Sequence, residues 1–328
     1  MRDSFGRVID YARISITERC NLKCVYCMPE TGEDDSVINS AETLLSYDDI
    51  VFLCKVLAAS GVSQIRITGG EPLVRPHANE LIRGIKEIPD ISYVSLTTNG
   101  ILLSEQAGAL ADAGLDGINI SLDSLDQTRY HEITRGGDVS RVLAGIETAF
   151  DAGISKIKLN CVPTRGIGKE DVVGIAEMAR NRQFHIRFIE MMPIGCGAFH
   201  GTIENDEIRL ILEKHFGPLK PWAGKMGNGP AKYYGLPGFK GKIGFISAMS
   251  SSFCQQCNRI RITSDGVLKT CLHMDQGISI RLAIKSRNHK ELRSQLEQAV
   301  QNKPAKHHFS ELPASAGADH RHMFQIGG

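Results

Sequence analysis

The sequence has no apolar run long enough to cross a bilayer, and its amino terminus leads directly into polar residues and a predicted strand. We therefore expect a protein without a signal peptide or a membrane span. An excess of charge is also absent, because 38 basic residues balance 37 acidic ones and leave a formal net charge of +1. This balance gives no long-range field that would attract nucleic acid or a membrane surface.

The number and spacing of the cysteines indicate what kind of site the protein contains. Nine cysteines are an odd number, and without a secretory signal they favour reduced, metal-binding thiols in the cytoplasm over a disulfide framework. Three of them, Cys20, Cys24 and Cys27, form a C-x3-C-x2-C array directly after an alternating run at 12–17. Because alternation predicts a strand, we place the array on the loop that leaves the strand's carboxyl end.

Three thiolates on one short loop can hold three irons of a [4Fe–4S] cube and leave the fourth iron open to a small molecule. A tetrahedral zinc site would need a fourth Cys or His nearby. No such residue stands between Cys27 and Cys54. The spacing therefore favours a reactive cluster, with a redox-active or zinc-binding loop as the alternative.

The first array resembles the signature of the radical S-adenosylmethionine (SAM) enzymes, in which an aromatic residue, here Tyr26, precedes the last cysteine. This resemblance implies that the open iron binds the amino and carboxylate groups of SAM. It also implies that SAM is cleaved to a 5′-deoxyadenosyl radical. The protein would contribute orientation and a dry cavity.

Strand-like runs alternate with amphipathic helical runs through residue 190. After the first strand, the predicted strands are 64–68, 93–97, 117–121, 156–160 and 185–190. Serial βα units imply parallel strands, so we predict an α/β fold with an incomplete parallel (βα)6-type TIM barrel over residues 1–190. Residues 191–328, where the alternation breaks, would form a C-terminal region that closes the cavity. A doubly wound open sheet is the alternative.

In a βα barrel, chemistry collects on the loops that follow the strands. After the second strand comes Thr68-Gly69-Gly70-Glu71-Pro72, whose glycines allow close approach of the backbone to a ligand. A similar GGEP segment in radical SAM enzymes lies against the methionyl amino group, which implies that position for Gly70. An ordinary turn is the alternative. The hydroxyls at Thr97 and Ser121 follow the same rule and can bond a ligand or cap a helix.

A second group of three thiols lies far along the chain, at Cys254, Cys257 and Cys271. His273 could complete a zinc site there. In one chain with the first array, however, a second [4Fe–4S] cube is favoured. Cysteines 54, 161 and 196 lie outside both groups and are predicted to be core residues. His307 and His308 are predicted to belong to a solvated tail.

Basic residues alternate with apolar ones on several predicted strands. Arg259 and Arg261 share one face of an extended segment and form a pair that suits phosphate oxygens. Inside a barrel the polar face of a strand faces the lumen. We therefore expect a cavity for an anionic polyphosphate, lined by Arg13, Arg66, Lys158, Arg259 and Arg261. Any one of these residues alone is more simply a solvated strand charge.

Together these features resemble the branch of the radical SAM family that cyclises GTP in molybdenum cofactor biosynthesis. The similarity covers nearly the whole chain, including the Arg-Ile-Arg after the second thiol group and the terminal Gly327-Gly328. It implies that the deoxyadenosyl radical removes hydrogen from C3′ of GTP and that C3′ then bonds to C8 of guanine. The product would be (8S)-3′,8-cyclo-7,8-dihydroguanosine 5′-triphosphate.

The same resemblance implies roles for individual residues. SAM would contact Tyr26, Gly70, Ser121 and Met192. GTP would contact Arg13, Arg66, Thr97, Lys158, Arg259, Ile260 and Arg261. Catalysis would involve Arg259, Arg261, Gly327 and Gly328. Two [4Fe–4S] clusters would be held by Cys20, Cys24, Cys27, Cys254, Cys257 and Cys271.

The resemblance also implies partners: a reductant such as flavodoxin, and the cyclic pyranopterin monophosphate synthase, which would receive the product. We expect a cytoplasmic monomer or homodimer that binds neither nucleic acid nor membrane. Two other functions fit part of the pattern. A peptide-modifying radical SAM maturase would share the barrel and both thiol groups but would not need the basic cavity, and a two-site zinc protein would be colourless.

Overall fold

The computed structural model describes residues 1–30, 43–165, 167–224, 226–227, 229–273, 277–307 and 321–327. Within these residues twelve strands form one sheet. The strands are β1 (Tyr11–Ser15), β2 (Gln64–Thr68), β3 (Tyr93–Thr98), β4 (Gly117–Ser121), β5 (Ile157–Cys161), β6 (His185–Ile189), β7 (Lys220–Pro221), β8 (Lys232–Gly235), β9 (Ile243–Ile246), β10 (Arg259–Ile262), β11 (Val267–Lys269) and β12 (Ile278–Ser279). The helices are α1 (Tyr47–Ala59), α2 (Ala78–Lys86), α3 (Leu103–Asp112), α4 (Gln127–Thr134), α5 (Val139–Asp151), α6 (Lys169–Glu177), α7 (Asn205–Phe216), α8 (Arg281–Lys285), α9 (His289–Gln301) and α10 (Met323–Ile326).

The first six strands pair in sequence order, each parallel to the next, with helical crossovers between them. This confirms the predicted incomplete parallel barrel. The strand order in the described residues runs β12-β11-β10-β1-β2-β3-β4-β5-β6-β9-β8-β7, so that β12 and β7 form the two ends of the sheet.

The chain after residue 190 adds strands to both edges of the six-stranded sheet. Strand β10 pairs parallel to β1, and β9 pairs parallel to β6. The remaining strands, β7, β8, β11 and β12, extend these edges in antiparallel fashion. Because β10 lies beside β1, the second thiol group and the first are brought to neighbouring parts of one sheet.

Alternation along the parallel strands separates a core face from a lumen face. Ile14, Ile67 and Leu159 are fully buried in the hydrophobic core, which the helices cover. The intervening positions are polar, as Arg13 and Arg66 illustrate. Since side chains point to opposite faces at successive residues, burial of the apolar set directs the polar set into the barrel.

Most element boundaries agree with the sequence. Helix α1 starts with a capping box, in which Ser46 Oγ accepts from Asp49 N at 3.1 Å and Asp49 Oδ2 accepts from Ser46 N at 2.9 Å. Three helices, α4, α8 and α10, have no clear signal in the sequence. They are only eight, five and four residues long, too short for a helical period to emerge from sequence. None of the helices in the described part of the chain has the length and apolar character that a bilayer crossing needs.

Candidate active site

Both thiol groups line one cavity, which runs from the middle of the parallel strands to their carboxyl ends. Its wall includes all six predicted cluster ligands, Cys20, Cys24, Cys27, Cys254, Cys257 and Cys271. Nine further predicted site residues line it: Arg13, Tyr26, Arg66, Gly70, Thr97, Ser121, Met192, Arg259 and Arg261. Lys158, Ile260 and Gly327 lie outside this wall, and Gly328 falls outside the described residues.

The first thiol triad, Cys20, Cys24 and Cys27, is formed by a turn in which Cys27 N donates to Cys24 O at 2.9 Å. Burial, reinforced by the nearby carboxylate of Glu71, raises the pKa of Cys20 to about 11. Burial, followed by the influence of Cys20, raises the pKa of Cys27 to about 12. The thiols are thus close enough to oppose one another's ionisation, and three thiolates here require a cationic centre among them.

The paired glycines after β2 pack against the backbone that leads into Cys20. A Cβ on Gly70 would lie 2.5 Å from the carbonyl oxygens of Glu18 and Arg19, so no side chain fits there. Gly70 N donates to Thr17 O at 2.8 Å, and Glu71 N donates to Arg19 O at 2.9 Å. The sequence predicted that the backbone at Gly70 approaches a ligand closely. In the structure this backbone also packs against the segment that leads into the first triad.

Glu71 is a buried carboxylate that sequence reasoning treated only as part of the GGEP turn. It accepts hydrogen bonds from Thr98 Oγ1 at 2.7 Å, Asn99 N at 2.6 Å and Leu73 N at 3.0 Å. Burial raises its pKa to about 7. These bonds join the exits of β2 and β3, so Glu71 fixes two walls of the cavity relative to each other.

Asp123 is a second residue whose role the sequence did not reveal. It lines the cavity, and its Oδ2 accepts from the Tyr26 hydroxyl at 2.6 Å while Oδ1 accepts from Val162 N at 2.8 Å. Burial raises its pKa to about 6. The available signal was its position just after β4, two residues beyond Ser121. Asp123 holds the aromatic ring that precedes Cys27 in place.

Three arginines stand side by side on neighbouring strands. Arg13 is the register partner of both Arg261 on β10 and Arg66 on β2, and we call Arg261–Arg13–Arg66 the arginine row. Burial, followed by the charge of Arg261, holds the pKa of Arg13 well below its usual range. Burial, followed by Arg259, lowers the pKa of Arg261 to about 10. Like charges concentrated in a buried wall suit a ligand with several negative charges.

Two more cations lie on β5 and β6. Arg187 lines the cavity and donates from Nε to Asn160 Oδ1 at 2.8 Å and from Nη2 to Asn119 Oδ1 at 2.5 Å. Lys158 donates from Nζ to Met226 O at 2.6 Å. Burial, followed by the charge of Arg187, lowers the pKa of Lys158 to about 7. Lys158 therefore lies behind the cavity wall in this state, while Arg187, absent from the predicted contacts, is in it.

The second thiol triad, Cys254, Cys257 and Cys271, has cationic neighbours. Cys254 begins a short 3-10 turn in which Cys257 N donates to Cys254 O at 3.2 Å. Burial raises the pKa of Cys257, but the charges of Arg259 and Lys303 outweigh this effect and lower the pKa to about 7. Arg259 Nη2 lies 3.9 Å from Cys257 Sγ. The two triads therefore differ in environment, carboxylates lying near the first and cations near the second.

Neither triad has the geometry of a single-ion site. All six thiols are free. Among the described residues, which include His273, no three His, Cys, Asp or Glu side chains converge closely enough to hold one metal ion. A [4Fe–4S] cube binds each thiolate through a different iron and so spreads its ligands. A spread set of three thiols is compatible with a cube at either triad.

The carboxyl-terminal residues enter the same region. Met323 and Phe324 line the cavity, and Gly327 O accepts from Arg261 Nη1 at 2.8 Å. Gly327 has φ +79°, and a Cβ there would lie 2.9 Å from Thr68 Cγ2. Glycine is therefore required both by backbone conformation and by space.

Two predictions about residues outside the arrays need correction. His307 was expected in a solvated tail, but it lines the cavity and its Nε2 lies 2.9 Å from Ala248 O; His308 is outside the described residues. Cys196 was expected in the core, but it is only half-buried, with Sγ 3.7 Å from His322 Nδ1. Cys54 and Cys161 are fully buried, as predicted.

Comparisons with known proteins show which families the chain resembles. Residues 14–179 match the Radical SAM superfamily, and residues 184–309 match Molybdenum Cofactor Synthesis C. The chain is 44% identical over 331 residues to a GTP 3′,8-cyclase from Moorella thermoacetica and 42% identical over 329 residues to one from Clostridium perfringens. Both alignments cover 100% of this chain and of the relative.

Solved structures share the fold at low identity. SuiB from Streptococcus suis bound to S-adenosylmethionine superposes with a TM-score of 0.59 at 15% identity, covering 81% of this chain and 60% of SuiB. SuiB bound to its precursor peptide SuiA gives a TM-score of 0.62 at 14% identity, with 90% and 67% covered.

Proposed function

This chain belongs to the radical SAM superfamily and, within it, to the GTP 3′,8-cyclases. On that premise we propose which residues bind the clusters, SAM and GTP. It is a radical SAM enzyme that converts GTP to (8S)-3′,8-cyclo-7,8-dihydroguanosine 5′-triphosphate in molybdenum cofactor biosynthesis. The observation that carries the assignment of roles is the arginine row, which lines the same cavity as both thiol triads.

The first triad holds a [4Fe–4S] cluster and the second triad holds another. Support comes from six free thiols that open into one cavity in two spread sets of three. When bound, the first cluster and SAM supply a 5′-deoxyadenosyl radical, which takes the hydrogen from C3′ of GTP. The remaining task of the protein is to hold two substrates and keep water out.

SAM is held on the wall that carries the first triad, by Tyr26, Gly70, Ser121 and Met192. Two of these positions are rigid before any ligand arrives. Tyr26 is fixed by its 2.6 Å hydrogen bond to Asp123, and Gly70 is wedged against the carbonyls of Glu18 and Arg19. A preformed wall loses little conformational entropy on binding, which favours affinity.

The triphosphate of GTP is bound by the arginine row, and Lys158 and Thr97 contribute from β5 and β3. Two of these guanidiniums donate to neutral acceptors: Arg66 Nε donates to Ser95 Oγ at 3.2 Å, and Arg261 Nη1 donates to Gly327 O. Phosphate oxygens would relieve the mutual repulsion of the row. Ile260 is fully buried in the core, so its contact with GTP is through its backbone.

The guanine is anchored by the second triad and Arg259, and catalysis also involves Gly327 and Gly328. Holding the base at one end and the triphosphate along the arginine row brings C3′ and C8 into bonding reach. Positioning of this kind can lower a barrier by roughly 7–11 kcal/mol. Enclosure also matters, because water or oxygen in the site would quench a carbon radical.

The wider setting follows the family. A flavodoxin-like protein supplies electrons, and the product passes to cyclic pyranopterin monophosphate synthase. The enzyme works in the cytoplasm as a monomer or homodimer, with residues 1–190 carrying the radical machinery and residues 191–328 the second cluster and tail.

The test is anaerobic turnover of the reconstituted protein with GTP, SAM and dithionite. We expect about eight irons per chain and a product that has the mass of GTP and a C3′–C8 bond detectable by NMR. Deoxyadenosine release without any change in GTP would overturn the proposed reaction. Bound zinc in place of iron at the second triad would overturn the second cluster alone.

A further inference from the structure

We propose that Lys303 is a positioning residue for the second cluster. Its hydrogen bonds hold together the two backbone segments that carry Cys257 and Cys271, and its buried positive charge lies beside their thiolates. This inference rests on the second cluster of the proposed function. Lys303 lies outside every motif considered above and belongs to the segment that follows α9.

The hydrogen bonds of Lys303 connect β10 to the residue that follows β11. Its Nζ donates to Arg259 O at 3.0 Å and to Thr270 O. Arg259 is two residues after Cys257, and Thr270 directly precedes Cys271. One ammonium group therefore fixes the distance between the segments that carry Cys257 and Cys271, which are fourteen positions apart in the sequence.

A second cation, Arg7, connects the segment that carries Cys254 to the residues that follow Lys303. Arg7 Nη1 donates to Cys254 O at 2.7 Å and to Ala305 O at 3.1 Å, and Nη2 donates to Pro304 O at 2.7 Å. Asp3 orients Arg7 through a buried ion pair. Residues 303–305 and the amino-terminal segment thus form hydrogen bonds that hold all three cysteine-bearing segments of the second triad.

Charge gives Lys303 a role beyond packing. Lys303 is 2% exposed, so its ammonium group is weakly screened by solvent. A cube bound by three thiolates carries net negative charge, and its reduction potential depends on nearby charge and hydrogen bonds. A buried cation therefore stabilises the cluster and makes it easier to reduce. The first triad has carboxylates as neighbours, so this influence is specific to the second.

The experiment compares full-length wild type with Lys303→Met, Lys303→Arg and Lys290→Met after anaerobic reconstitution. Lys290 is an exposed lysine on α9 and serves as the matched control. Each variant is also made with Cys20, Cys24 and Cys27 replaced by serine, so that spectroscopic signals arise from the second cluster alone. The readouts are iron content, the rate of iron loss to a chelator, and the midpoint potential followed by EPR.

We expect Lys303→Met to release second-cluster iron roughly 10–100-fold faster, the usual cost of removing an outer support of a metal site, and to have a lower midpoint potential. Lys303→Arg should restore the potential, Lys290→Met should match wild type, and cleavage of SAM by the first cluster should persist in Lys303→Met. If Lys303→Met is too unstable to purify, Lys303→Gln, which retains a donor without the charge, should show the lowered potential.

Two outcomes separate this inference from the proposed function. Wild type with four irons, all lost when the first triad is replaced, would remove the second cluster and this inference with it. Wild type with two clusters, together with unchanged iron release and potential in Lys303→Met or in Lys303→Gln, would overturn the role of Lys303 and leave the proposed function standing.

Discussion

Arg261 donates to the carbonyl of Gly327 across 2.8 Å, so the carboxyl-terminal tail is bonded to the arginine row. The same arginine stands beside Arg13 in register. Strand β1, at the start of the barrel, and the carboxyl-terminal tail therefore meet through Arg261 at the site proposed for the triphosphate. This contact makes Arg261 the most informative position at which to separate GTP binding from SAM cleavage.

Replacement of Arg261 by alanine should weaken GTP binding about 10–100-fold, because a hydrogen bond to a charged group contributes about 1.5–3 kcal/mol. Reductive cleavage of SAM without GTP should continue. Calorimetric titration with GTP and chromatographic measurement of deoxyadenosine check the two effects. Arg293→Ala, which removes an exposed arginine paired with Glu297 on α9, is the control and should bind GTP normally. Equal GTP affinity in both variants would contradict the assignment.

Replacement of Cys24 by serine should remove the first cluster while leaving the second. Iron content should fall to about half, and SAM cleavage should stop, because one of three iron-binding thiolates is lost. Cys196→Ser is the matched control, since Cys196 is also half-exposed but stands outside both triads. We expect it to keep its full iron. Normal deoxyadenosine release by Cys24→Ser would refute the role of this cysteine.

Replacement of Gly70 by alanine should destabilise the fold by about 1–3 kcal/mol, the usual cost of overpacking. Its Cβ would lie 2.5 Å from the backbone carbonyls of Glu18 and Arg19, which cannot move without shifting the Cys20 segment. Gly108→Ala, inside α3, places a Cβ with nothing within 4 Å and should stabilise the protein by about 0.4–1 kcal/mol. Urea denaturation of the apoproteins measures both, and the same sign of change for the two variants would disprove this account.

GTP binding should take up a proton through Lys158. Burial, followed by Arg187, lowers the pKa of Lys158 to about 7, so the side chain is mostly neutral at pH 8 in the free protein. A nearby triphosphate favours the charged form and raises that pKa. GTP affinity should therefore decline as the pH rises from 7 to 9, because the proton becomes harder to acquire.

Calorimetry at pH 8 in two buffers of different ionisation enthalpy measures this proton uptake. Lys158→Met should reduce it, whereas Lys290→Met, which removes an exposed lysine on α9, should not. Identical proton uptake in wild type and Lys158→Met would show that another group titrates.

The barrel and the cysteine spacings of the two thiol triads were predictable because their signals are local. A two-residue alternation around Arg13 or Arg66 identifies a strand, and short cysteine spacings identify ligands on one loop. The His307 prediction failed for the opposite reason. Nothing in the flanking sequence indicates that the chain after α9 returns to the cavity, where His307 lies against Ala248.

By itself, the sequence determined the parallel strands, the two thiol triads and the polar face that carries the arginines. Only the tertiary structure decided that β10 pairs with β1, which aligns Arg261 with Arg13 and opens both triads into one cavity. It also decided that Asp123 bonds to Tyr26, that Glu71 joins the exits of β2 and β3, and that Lys303 bonds to Arg259 and Thr270. The physical reason is that periodicity and spacing act between near neighbours, whereas strand pairing and the hydrogen bonds of a buried charge depend on partners that lie elsewhere in the chain, as β10 does for β1 and Arg259 and Thr270 do for Lys303.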